Sequence, residues 1–151
     1  MKKLFILFLV VLAFSACRKG EFETTPTVVI DSFGPEEVTT GGFFQLRSTV
    51  TDKEGDLQDE VIVVRKRYNG TDVLSTDSTR VSLKDLGNPV KDKIELMITF
   101  VYGRLIPEQA ITQDLEYAGD RNLTVGLIVI DNEGNRSEYV ESKPIVLKKF
   151  Q

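Results

Sequence analysis

Two stretches of this chain alternate between apolar and polar side chains with a period of two, and that alternation confines the fold to packed β-sheet. In residues 94–102, Ile94, Leu96, Ile98, Phe100 and Tyr102 fall on one face of an extended strand. Residues 43–52 repeat the pattern, with Phe44, Leu46 and Val50 on one face and Gln45, Arg47 and Thr49 on the other. A slip of one residue would bury the polar set, so each strand has a single usable register. Residues 123–130 form a third apolar run nearly as strong.

Turn signals divide the rest into short strands. The β-branched run 27–30 is stopped at Phe33, Gly34 and Pro35, and residues 52–56 make an acidic turn. Residues 61–68 run into Asn69 and Gly70, a strong hairpin signal, with a return through Val73. A short strand at 80–83 ends before Gly87 and Pro89, and the turn 131–135 leads to a last strand at 144–147. Only residues 107–115, opened by Pro107, predict a short helix. About seven short strands without an internal repeat predict an all-β antiparallel sandwich, one domain spanning residues 27–151.

The first residues read as an address. Lys2 and Lys3 precede an apolar run over 4–14, and Ser15 and Ala16 lead into Cys17, the single cysteine. That is the layout of a cleaved secretory signal, too short for a spanning helix of about 20 residues. With the cysteine at the cleavage point, residues 1–16 resemble a bacterial lipoprotein signal, although Phe14 stands where such signals carry an aliphatic residue. The resemblance implies a covalent lipid on Cys17, residues 17–26 as lipidated cysteine and polar tether, and a membrane-held protein. A plain cleaved signal would instead leave a free thiol in an oxidising compartment. Arg18 is not the aspartate that retains such lipoproteins in the inner membrane, which implies the outer membrane; its periplasmic and surface faces both stay open.

Composition excludes several chemistries. Loss of Lys2 and Lys3 with the signal takes the net charge from −4 to −6, which argues against nucleic acid as a partner. One cysteine permits no internal disulfide. With no histidine, neither a Ser-His-Asp or Cys-His centre nor a Cys/His zinc site can be built. Gly41 and Gly42 lack the following lysine of a phosphate loop. The expectation is a non-catalytic protein with no cofactor beyond the lipid.

Residues 46–56 end in Val-Thr-Asp-Lys-Glu-Gly-Asp and residues 123–137 in Val-Ile-Asp-Asn-Glu-Gly-Asn-Arg-Ser. Both segments resemble strands and turns of the bacterial immunoglobulin-like superfamily, including its PKD-like and cadherin-like domains. The resemblance implies an immunoglobulin-like β-sandwich with turns 52–59 and 131–135 at one pole. Cadherin-like relatives bind calcium through such turns, which makes Asp52, Glu54, Asp56, Asp131 and Glu133, with Asp59, Asn132 and Asn135, candidate calcium ligands. The other reading is plain turn chemistry, since Asp, Asn and Gly tolerate turn backbones. No EF-hand is present: the twelfth position from Asp52 is Val63.

Partner-binding candidates are Arg65 and Arg67, which share a face with Val61 and Val63, and Tyr117 in the long connection 103–120. The two arginines read either as a docking patch or as charges protecting an edge strand from aggregation. The function these features suggest is a membrane-anchored binding or structural module, an accessory subunit of an outer-membrane protein complex. The alternative is a surface lipoprotein that binds a glycan or host polymer with calcium assistance; the missing tryptophan counts against it.

Overall fold

A computed structural model describes residues 25–57, 59–84, 92–103, 110–111 and 119–149. The signal segment, Cys17, most of the tether and Tyr117 lie outside these residues. The described chain is all-β, with ten strands in two sheets and no helix among the described residues. Three of the ten, β2 (Glu37–Val38), β7 (Ala110–Ile111) and β9 (Val140–Glu141), are only two residues long. The first sheet has the order β1-β3-β6-β7, built on β1 (Thr27–Gly34), β3 (Phe43–Thr51) and β6 (Lys93–Tyr102). The second runs β2-β10-β8-β4-β5, from β4 (Glu60–Asn69), β5 (Asp72–Ser82), β8 (Arg121–Ile130) and β10 (Ile145–Leu147); β9 also pairs with β8.

The predicted alternation is what closes the sandwich. Phe44, Leu46 and Val50 of β3 and Ile94 to Tyr102 of β6 face Val61 and Val63 of β4 and Leu123, Val125, Leu127 and Val129 of β8 in one core. Phe44 stacks on Phe100 with ring centroids 5.0 Å apart, and Phe33 meets Phe44 edge-on at 5.7 Å. Tyr102 is fully buried, and its hydroxyl donates to the Lys148 carbonyl at 2.8 Å, tying the first sheet to the chain leaving β10.

Three expectations change. Residues 72–82 form one eleven-residue strand paired along its length with β4, not a short return and a separate strand at 80–83. Their serines, threonines and aspartates suit an exposed outermost strand, which needs backbone pairing more than apolar alternation. β4 consequently lies between β5 and β8, so Arg65 and Arg67 do not guard an edge. Within 107–115, residues 110 and 111 form β7, parallel to Val101 and Tyr102, where Pro107 predicts helix; the open side of β6 offers them ladder partners. The rest of that stretch lies outside the described residues.

The outer face of the second sheet is covered by its own chain. Gly126 of β8 is buried beneath the Tyr139 ring, which occupies the space a Cβ there would need. Lys66 sits 4.7 Å from the centre of the same ring and pairs with Glu141 at 2.8 Å. Glu141 also accepts from Tyr68 at 3.0 Å and from Thr124. A glycine inside a strand marks a close approach of this kind. Gly126→Ala must displace Tyr139, so thermal or urea unfolding is expected to show a loss of about 1–3 kcal/mol, the usual range for overpacking. Adding Tyr139→Ser to that variant should leave the alanine without further effect.

Candidate functional site

Register fixes which residues share an end of the molecule. Thr27 pairs with Thr51 and Thr51 with Lys93, while Glu60 pairs with both Ile130 and Ser82. The chain leaving β3 and the chain leaving β8 therefore meet at one pole, together with the start of β1. There the turn after β3 brings Asp52 and Asp56, and the turn after β8 brings Asp131. One carboxylate oxygen from each lies within 4.8 Å of the others. The two turns are also joined by backbone, Asn132 N–H donating to the Asp56 carbonyl at 3.2 Å.

Local chemistry holds Asp131 in place. Its Oδ1 accepts the backbone N–H groups of Glu133 and Asn135 at 2.9 and 2.8 Å, and its Oδ2 accepts the Asn135 side-chain amide at 2.9 Å. It is fully buried. Asp52 is 3% exposed; its N–H donates to the Asp92 carbonyl, and its Oδ1 accepts only a long contact of 3.4 Å from Glu54 N–H. Asp52 Oδ2 and Asp56 Oδ1 are buried without a hydrogen-bond partner. Glu54 and Glu133 stand exposed at the rim.

So many carboxylates in one place raise one another's proton affinity. Asp56 is pushed up to about 6, chiefly by the hydrogen bond its protonated form shares with Asp52, then by burial and the charge of Asp131. Glu54 is also raised, first by desolvation and then by Glu133, Asp52 and Asp131. No ion pair among the described residues engages any of the five acids. Asp59 belongs elsewhere, bound to Lys84 at 2.9 Å. Thus Asp52, Asp56 and Asp131 converge, Glu54 and Glu133 flank them, and oxygen is the only ligand type on offer. A polar cleft beside Asp52 is lined by Thr25, Thr27, Thr51, Lys53, Asp92 and Lys93.

The opposite pole carries the β4–β5 hairpin, the end of β6 and the start of β8. Its Asn69–Asp72 tip is exposed, as are the apolar side chains of Val73 (54%), Leu74 (37%) and, across the molecule, Phe43 (63%). Arg65 and Arg67 lie toward this pole, half-buried across β5. Arg65 donates to Thr79 Oγ1 at 3.0 Å; Arg67 donates to Ser75 Oγ at 2.8 Å and faces Asp77 at 3.5 Å. Both therefore brace β5.

Sequence reasoning missed the Lys66–Glu141–Tyr68–Thr124 cluster on the second sheet's outer face. The isolated Gly126 was the available signal, but β9 is too short to register as a strand.

No protein-family model matches the chain, and no curated protein matches it. Among solved structures, the sporulation control protein Spo0M of Bacillus subtilis is similar at 9% identity and a TM-score of 0.43. That match covers 82% of this chain and 49% of Spo0M. A family 76 glycoside hydrolase from a bovine Bacteroides thetaiotaomicron strain is similar at 8% identity and a TM-score of 0.41, over 84% of this chain and 21% of that one. Murine CRIg shows 18% identity and a TM-score of 0.33, over 82% of this chain and 96% of its own. The chain thus spans about half of the first of these proteins and a fifth of the second.

The Glu141 cluster gives a pH dependence of definite sign. Burial alone would raise this carboxyl, but hydrogen bonds from Lys66, Thr124 and Tyr68 outweigh it and hold Glu141 at about 2, against 4.5 when free. A carboxyl lowered by folding stabilises the native state above its free value, and that stability is lost as pH falls. Melting temperature is expected to drop between pH 4.5 and 2, and Glu141→Gln should flatten that part of the curve while lowering stability at pH 7.

Proposed function

We propose that this chain is a non-catalytic, immunoglobulin-like binding module, held on the outer membrane by a lipid on Cys17 and serving as an accessory subunit of a membrane protein complex. The immunoglobulin-like reading is supported by topology. β1, β3 and β6 form one sheet, β5, β4, β8 and β10 the other, and β2 crosses to pair in parallel with β10. The non-catalytic reading is supported by the absence of histidine from the chain and of a thiol beyond Cys17.

One observation carries the functional reading: the two poles are chemically different, and the chain enters at the acidic one. Thr27 begins β1 beside Thr51 and Asp52, ten residues after Cys17. Ten residues reach at most about 35 Å. A lipid on Cys17 therefore keeps the acidic pole near the membrane and leaves the pole of Phe43, Val73 and the hairpin tip about 30 Å farther out, the length of β4. Exposed apolar side chains at that far pole suit a protein partner. Confinement to the membrane raises the effective concentration of such a module around partners in the same membrane.

The test is site-specific photo-crosslinking of the full-length protein in its native membrane, from Thr71 at the far pole and from Lys84 at the acidic pole. A single partner captured from Thr71 and not from Lys84 is the expected result. Cys17→Ser should release the protein from the membrane fraction. Retention of that variant on the membrane, or capture from Lys84 alone, would overturn the proposal. Phe43→Ser is expected to weaken capture from Thr71 while leaving the unfolding free energy within about 0.5 kcal/mol of the original, as for other exposed positions.

A further inference from the structure

We infer that the free edge of β5 receives an added strand over residues 76–80, an extended, uncharged segment of the membrane partner. The inference rests on the proposed binding role and names how that partner docks. Among the described residues β5 pairs with β4 alone, as the outermost strand of its sheet. Leu83 N–H donates to the Asp59 carbonyl at 2.9 Å, which continues the register that pairs Ser82 with Glu60. Antiparallel partners alternate between hydrogen-bonded and non-bonded pairs, so residues 75, 77, 79 and 81 turn their backbone groups toward β4. Thr76, Ser78 and Arg80 then each turn an N–H and a carbonyl outward, in one row along the edge.

An exposed edge is a template for another chain, and folded proteins blunt it with short strands, bulges, proline or charge. The other sheet edges here are blunted: β2 and β7 are two residues long, and β1 has a register shift between Ile30 and Ser32. β5 instead has eleven residues without lysine, proline or glycine. Its one irregularity lies opposite Arg67 and Tyr68, near the hairpin, and the pairing from Ser75 to Ser82 is unbroken. Its charges do not guard it either. Glu60 engages Arg80 at 2.9 Å, and Arg67 engages Asp77 at 3.5 Å.

The same features define the occupant. In strand addition the main chain supplies the affinity, and an edge whose charges are already paired suits an uncharged segment. Val73, Leu74 and Val81 stand exposed near the two ends of the row, where apolar side chains of that segment would cover them. A second copy of this chain does not fit. Two like edges join antiparallel about a two-fold axis, which turns one copy end for end. Each copy being held by Cys17 at its acidic pole, the two lipids would then point in opposite directions. A different protein in the same membrane carries no such constraint, and the row starts just beyond Thr71 at the far pole.

The experiment measures photo-capture of the partner from Thr71 in the native membrane, with the full-length protein altered at Ser78. Proline at an outward-facing position removes an edge N–H and leaves the ladder to β4 intact. Ser78→Pro is expected to keep the melting temperature and to lower capture about tenfold or more, as for a lost hydrogen bond whose acceptor stays bare. Ser78→Ala keeps the N–H and should lose far less. Amide exchange gives a second readout, which decides the matter if the proline variant does not fold. The N–H groups of Thr76, Ser78 and Arg80 should exchange fast in the purified protein at every concentration, and slowly in the captured complex. Capture that survives in a folded Ser78→Pro, an equal loss in Ser78→Ala, or exchange of this row unchanged by the partner would overturn the inference and leave the binding role standing. Slow exchange in the protein alone would place its own chain or a second copy on the edge, and would overturn it too. No capture from the original protein would overturn both.

Discussion

Packing of β6 and β3 against β4 and β8 is the constraint on which everything else in this molecule depends. One cysteine, placed ahead of the domain, permits no cross-link within it, and without tryptophan the core is built from aliphatics and phenyl rings. Burying a single such side chain contributes on the order of 1.5–3 kcal/mol. Eighteen buried residues gathered in one cluster therefore supply the driving force that disulfides supply in smaller exported domains. Tyr102 adds direction to that force, because its one polar atom finds an acceptor only in the chain following β10. The two sheets are thus closed at one end by an apolar body with a satisfied hydroxyl.

The other end closes against its own charge. Asp131 serves its turn as an acceptor for two backbone N–H groups and a side-chain amide, and such bonding to a carboxylate contributes about 1.5–3 kcal/mol per bond. Asp52 and Asp56 have no comparable compensation for their bare oxygens. The same pole therefore contains a well-satisfied acid and two poorly satisfied ones, placed together by the packing of the two sheets and the backbone bond from Asn132 to Asp56.

Legibility followed the size of the penalty for error. The facing of β3 and β6 was plain because a slip would bury Arg47 or Glu95, and the core side of β8 followed its apolar run. β5 was partly hidden, since an outermost strand of serines and threonines loses little whichever way it faces. That gap in turn misplaced Arg65 and Arg67 at an edge. The acidic turns were visible as turns, but local sequence could not separate a backbone acceptor from a metal ligand. In the structure Asp131 is a backbone acceptor, while Asp52 and Asp56 are not held that way. Packing of the two sheets through one core, with Asn132 N–H donating to the Asp56 carbonyl, brings the two turns together, a contact between residues far apart in the chain.

Net stability of a domain this size is about 5–15 kcal/mol. Each bare buried oxygen costs about 1–3 kcal/mol, more when ionised. Two of them therefore consume a substantial share of the margin, and no disulfide or tryptophan core compensates. The Asp52 side chain accepts one long backbone contact at 3.4 Å and a hydrogen bond from Asp56 when Asp56 is protonated. This carboxylate does little for the backbone, yet it is buried beside two others.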